Sequence, residues 1–223
     1  MNIQLKAKRQ DGFTIIELVV VILLLGILAA TALPRFLDVT TEAHDAVVDG
    51  TVTAMQTGTA LYHAQYIAQG SPAAGTTFTE FGGLGTNSLG YPGGTDATTA
   101  GAFDQDDDGD ADADCVAVYQ GLLQTGAPSI VVAQKGTADN VVPVDADIGA
   151  ITDGFVAKYI EPAGTSIGAL TGITASTPAC VYLYVADAER YNIQNNAVPG
   201  LVYFPVDSGN TNFPAGSVVE TTF

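Results

Sequence analysis

The run from Phe13 to Leu33 constrains this 223-residue chain more than any other part of it. Its 21 residues include one charged side chain, Glu17, and shortly before it stand Lys6, Lys8 and Arg9. At about 1.5 Å per residue, a helix of that length spans roughly 31 Å, which matches the hydrocarbon core of a bilayer. The run is apolar on every side rather than along one stripe, so lipid or further copies of the same helix must surround it. Positive charge upstream holds the first residues in the cytoplasm and sends the rest of the chain outward. A carboxylate inside such a span costs about 2.5 to 3.5 kcal/mol, and Glu17 therefore calls for a partner or a function. A cleaved secretory signal is the competing reading, because Ala30-Thr31-Ala32 fits the small-residue cleavage rule and would leave a chain starting at Leu33. The carboxylate near the start of the run and the helical pattern beyond Leu33 both count against it.

The stretch KAKRQDGFTIIELVVVILLLGILAATALPRF, residues 6 to 36, resembles the processing site of type IV prepilins. The likeness combines a short basic leader, Gly12 before Phe13, a carboxylate four residues on at Glu17, and Pro34 closing the apolar run. It implies cleavage after Gly12 and methylation of the new amino terminus on Phe13 by a prepilin peptidase and methylase. It also implies that Glu17 pairs with the terminal amine of Phe13 in a neighbouring subunit as the filament assembles.

Charge is divided unevenly along the chain. The leader, residues 1 to 12, holds three of the seven basic residues and one of the 24 acidic ones, which leaves four basic against 23 acidic in the remainder. Nucleic acid and anionic membrane surfaces would be repelled by so acidic a head, and divalent cations attracted. Cys115 and Cys180 both lie beyond the membrane segment, on the oxidising side, where two thiols are expected to form a disulfide; two unpaired buried cysteines are the alternative. Closing that loop is worth roughly 4 kcal/mol in the chain-entropy model.

Beyond Pro34, which should kink or loosen the helix, steps of three and four link Ala43, Val47, Gly50, Ala54, Gly58, Leu61, Ala64 and Ala68. This narrow stripe of small residues is expected to pack on a sheet while Glu42, Asp45 and Asp49 face water. Gly70-Ser71-Pro72 reads as the stop. Residues 71 to 114 read as a long surface connection, and Cys115 to Leu123 as a short helix. Strands are expected at Ser129–Ala133, Phe155–Ile160, Cys180–Val185, Leu201–Phe204 and Ser217–Thr222 from their β-branched and aromatic content. Asp153-Gly154 reads as a two-residue hairpin turn. The run DADCVAVYQGLLQTGAPSIVV, residues 112 to 132, resembles the cysteine-bearing helix of the mannose-sensitive haemagglutinin branch of type IV pilins. A sugar-binding activity does not follow from that likeness.

Two motifs carry possible chemistry. Gly164-Thr165-Ser166-Ile167-Gly168 matches the nucleophile elbow, but the only histidines, His44 and His63, precede the serine and sit on the helix, so Ser166 reads as a loop residue and the chain as no enzyme. From Asp104 to Cys115, carboxylates recur at alternate positions with Gly109 at the sixth, the layout of a calcium-binding loop. Asp104, Asp106, Asp108 and Asp112 would supply side chains to Ca²⁺ and Asp110 its backbone carbonyl. Cys115 stands where such loops carry a bidentate glutamate. A solvated acidic loop that caps the next helix is the alternative.

Together these readings predict an α+β protein of the type IV pilin fold, with a leader at 1–12, a long helix at 13–69 whose part 13–33 serves membrane and fibre core, and a head at 70–223 whose antiparallel sheet packs on that helix. The function implied by the resemblance is that of a structural pilus subunit for adhesion or motility, held in the inner membrane as a single-pass precursor. An assembly machinery there would then move it into an extracellular filament of its own copies. A pseudopilin of a type II secretion system shares the processing site, though the length of this chain and its two cysteines favour a pilin. A secreted calcium-dependent binding protein with a cleaved signal is the reading from another class, and the mature amino terminus separates it.

Overall fold

A computed structural model describes residues 13–95, 103, 111–133, 154–161, 166–174, 177–186 and 198–223. The chain divides into two units, Met1–Ala43 and His44–Phe223, and helix α1, Ile15–Ala68, begins in the first and ends in the second. In the first unit Ile15–Leu33 is long and apolar enough to cross a membrane, and none of it is buried. The one hydroxyl of that stretch, near its end, folds back on the helix: Thr31 Oγ1 donates to the carbonyl of Leu28 at 3.0 Å. The helical backbone continues through Pro34, so the proline does not end it. Gly70 stops the helix as expected. Its φ is +82°, its N–H donates to Ile67 O, and the Ser71 N–H donates to Tyr66 O, the paired bonds of a Schellman cap.

The second unit is built on a five-stranded sheet of β3 (Ile130–Val132), β4 (Phe155–Ile160), β7 (Ala179–Tyr184), β8 (Pro199–Tyr203) and β9 (Val218–Thr222), in that spatial order. Neighbours from β4 to β9 run antiparallel, but β3 is parallel to β4. The stretch between β3 and β4 exceeds the dozen or so residues that a parallel crossover needs. Phe155, Val156 and Ala157 pair with β3 on one side and β7 on the other, which leaves no place for the hairpin expected through Asp153-Gly154. Two small antiparallel pairs flank the sheet: β1 (Thr77–Phe78) with β2 (Leu84–Gly85), and β5 (Ser166–Ile167) with β6 (Leu170–Thr171). Helix α2, Ala111–Leu123, precedes β3.

Both faces of the sheet are buried, which is why its central strands lack the alternation of a half-exposed sheet. Phe155, Tyr159, Cys180, Tyr182 and Tyr203 point to the side that packs with α2 and with the later turns of α1. Val156, Val181, Leu183, Val202 and Phe204 point to the other, beneath Ile167, Ile173 and Phe223. On α1 the buried positions are Val48, Thr51, Val52, Met55, Thr59 and Tyr62 rather than the small-residue stripe. Gly50 and Leu61 of that stripe are exposed, because bulky side chains fill the space over the sheet and the small ones lie around the helix from them. Gly58 is the exception, since a Cβ there would come within 2.8 Å of Leu122 O on α2.

Four buried tyrosines tie this core to the elements and turns around it. Tyr62 donates to Leu84 O, Tyr119 to Pro128 O, Tyr182 to Cys115 O and Tyr203 to Pro92 O, at 2.8 to 3.4 Å. Burial pushes all four phenols above their usual range, because a phenolate would lose its hydration there.

Candidate functional site

At the amino end of α1 the carboxylate of Glu17 is engaged within its own chain. Glu17 Oε2 accepts from the backbone N–H of Thr14 at 3.2 Å and from Thr14 Oγ1 at 3.1 Å, while Thr14 Oγ1 accepts from Glu17 N at 3.2 Å. This reciprocal arrangement is a capping box, in which a threonine and the glutamate three residues later satisfy each other's free backbone donors. It starts the helix and holds the one charge of the apolar run in a fixed place near its tip. The Thr14-x-x-Glu17 spacing announces this box in the sequence; it goes unread when a partner for Glu17 is sought only in another chain. Phe13, beside the box, is 93 % exposed. Gly12, the other residue expected at the processing site, lies outside the described residues.

Of the residues expected to bind calcium, Asp104, Asp106, Asp108 and Asp110 lie outside the described residues. Asp112 falls in the first turn of α2, where its carboxylate meets two groups of β4. Oδ2 pairs with Lys158 Nζ at 3.0 Å and Oδ1 accepts from Tyr159 N at 2.6 Å. Lys158 is 4 % exposed, so this is a buried, charge-assisted tie between the helix and the sheet. Asp114 is buried as well and accepts from Thr95 N at 3.1 Å. The chain passes so close there that a Cβ on Gly94, whose φ is +110°, would collide with the Asp114 carboxylate. The next residue, Cys115, is bonded to Cys180 of β7 with the two Cα atoms 5.5 Å apart. Asp112, Asp114 and Cys115 thus moor the same end of α2 by three different kinds of bond.

The remaining polar residues have structural surroundings. His44 Nδ1 lies 2.8 Å from the Tyr184 hydroxyl, and His63 stacks on Tyr91 with ring centroids 4.5 Å apart. Both histidines are half-buried packing residues rather than free helix-surface ones. Ser166 is exposed in β5. Asp45 and Asp49 face water as expected, and Glu220 of β9 joins them. Its carboxyl is raised, first by partial burial and then by the charges of Asp49 and Asp45. Sequence reading misses this grouping because β9 is brought to α1 only by the completed sheet.

Residues 7–33 match the family model of the prokaryotic N-terminal methylation motif. Over 91 residues the chain is 38 % identical to the type IV narrow pilus major component PilA5 of Thermus thermophilus, a match covering 41 % of this chain and 77 % of that protein. No solved structure matches it. An apolar amino-terminal helix carrying the methylation motif, followed by a helix and a largely antiparallel sheet, with identity at this level to a major pilus component, places the chain in the type IV pilin family as a structural pilus subunit and not an enzyme.

Proposed function

We propose that the protein is a major pilin, inserted in the inner membrane as a single-pass precursor, cleaved after Gly12 by a prepilin peptidase, methylated on Phe13 and drawn by the membrane assembly machinery into an extracellular filament. The filament serves adhesion or motility. The observation that carries this reading is the fully exposed apolar helix with its single carboxylate fixed at the first turn. Such a surface is stable only in lipid or among copies of itself. Cleavage would create a cationic amine on Phe13 next to Glu17, and the amine of one subunit would then meet the carboxylate of the next.

The capping box makes the test sharper. Glu17→Gln keeps a side-chain oxygen for the Thr14 donors but removes the charge, whereas Glu17→Ala removes both. Both variants are expected to be cleaved normally and to enter filaments at less than about a tenth of the wild-type yield, since a buried, hydrogen-bonded ion pair loses on the order of 2 kcal/mol or more when one charge goes. Wild-type yield from Glu17→Gln would show that the glutamate acts only as a cap.

We further propose that the acidic loop holds Ca²⁺ through Asp104, Asp106 and Asp108 and the carbonyl of Asp110. Asp112, bonded to Lys158 and Tyr159, fits better as the anchor of the loop's end than as a full ligand. A site lacking the bidentate glutamate should be weak, with Kd of order 10⁻⁴ to 10⁻³ M. Because binding would favour the folded head by mass action, calcium at about 100 times Kd is expected to add about 2.7 kcal/mol over chelator in thermal unfolding of the detergent-solubilised protein. Equal midpoints and no heat of binding would leave a solvated acidic loop.

A further inference from the structure

Gly50 has no explanation within its own chain. It lies in the interior of α1, where glycine is unfavourable relative to alanine, its backbone is helical, and a Cβ built on it would meet nothing within 4 Å. Gly58 on the same side does have a reason, the carbonyl of Leu122, and Gly70 has another in its left-handed cap. What surrounds Gly50 is a groove. One wall is the α1 face carrying Gly50, Ala54 and Leu61, and the other is the end of α2 with the turn beyond it, through Leu122, Leu123 and Pro128. Two hollows of about 560 and 300 Å³ share Gly50, Ala54 and Leu123 and so run into one another. From Ala46 to Leu61 the groove follows α1 for roughly 22 Å, about four helical turns. Leu61 on its wall is 58 % exposed.

We propose that this groove seats the apolar segment 13–33 of a second copy of the chain. The inference rests on the pilus reading and adds to it the place on the head where a neighbour's helix lies. Three observations select that occupant. The segment is an exposed apolar helix that needs a cover, and none of it is buried in its own chain. It carries one charged residue, whereas the rest of a second copy beyond the leader holds 22 acidic residues against four basic ones and as a whole would be repelled by an equally acidic head, with Asp49 on the groove's rim. Small residues on a helix let a second helix backbone come close, and Gly50 with Ala54 one turn on provides such a strip where nothing of the same chain uses it. Leu122 and Leu123, which the disulfide-bearing helix presents, would close over the seated helix from the side.

A Cβ at position 50 meets nothing of its own chain within 4 Å, so Gly50→Leu can project into the groove, whereas Gly50→Ala fills it only slightly. With the full-length protein expressed in its own filament-producing cells, Gly50→Leu is expected to give normal precursor level and an unfolding midpoint no lower than wild type, but at least a tenfold loss of filament; Gly50→Ala should lose little. A photo-crosslinking residue at Ala54 in wild-type filaments should join to a peptide from residues 13–33 of another copy. Full incorporation of Gly50→Leu, or crosslinks from position 54 only to head peptides, would overturn the groove while leaving the pilus reading intact. Absence of filaments containing the unaltered chain would overturn both.

Discussion

Replacing both cysteines, Cys115→Ala with Cys180→Ala, is expected to lower the stability of the head by about 2 to 5 kcal/mol. The bond joins α2 to β7, and the loop it closes contains β3, β4, β5 and β6. Opening it releases to the unfolded chain a freedom that the native bond denies it. The Asp112–Lys158 pair and the Tyr182 bond to Cys115 O would still hold the start of α2 against the sheet, so the fold itself should survive at low temperature. Cys180→Ser alone should cost more than the double alanine change, because it leaves a hydroxyl in a place with no exposure and an orphaned thiol opposite it. Denaturant unfolding of the purified protein measures both; a double variant within 1 kcal/mol of wild type, by the usual precision of about that size, would contradict this account of the head.

The second large effect is alkaline. Tyr62, Tyr119, Tyr182 and Tyr203 have folded-state pKa values above the ordinary value of 10.0, with burial as the leading cause in each. A raised folded pKa means that the native state keeps the proton after the unfolded state has released it. The stabilisation is therefore complete below the unfolded pKa and declines as pH climbs past it toward the folded values. At about pH 11 each phenol that stays neutral in the native state forfeits about 1.4 kcal/mol, which for four of them is on the order of 5 kcal/mol. The unfolding midpoint should be flat from neutral pH to about 9 and fall steeply from about 10, with tyrosinate absorbance appearing together with the loss of structure. Tyrosinate signal from all nine tyrosines in a protein that is still folded would show these four to be open to water.

Where local chemistry decides the structure, the sequence could be read closely. Residues Phe155–Ile160 form β4 with the bounds that their β-branched and aromatic content predicts, and Gly70 ends α1 because a left-handed cap favours glycine. Helix α2 begins at Ala111, four residues before the expected Cys115, because Asp112 takes its partners from β4 and thereby fixes the first turn. Tertiary packing hides the rest. Strands β1 and β2 are two residues each and stand in a glycine-rich stretch with no period. Buried Asn87 holds the turn that follows β2: its Oδ1 accepts from Leu89 N and Tyr91 N, and its Nδ2 donates to Pro205 O, 118 residues away in the sequence. The parallel course of β3 could not be foreseen either, because three apolar residues specify a strand but not its direction. On α1, the small residues made the more regular pattern, yet volume decided burial, and Met55 and Tyr62 took the core.

The acidic head and the apolar segment 13–33 have different physical tasks in a pilus subunit. In the proposed filament like-charged heads would repel one another in water, so the cohesive surface would be the apolar one, with the charge of Glu17 to be matched before that surface closes. The most direct test shears filaments from the surface of cells expressing the chain and takes a mass spectrum of their main subunit. The expected subunit is this chain, beginning at Phe13, with a methyl group on its terminal amine and residues 115 and 180 joined. Filaments without this chain, or a secreted chain beginning at Leu33, would contradict that expectation.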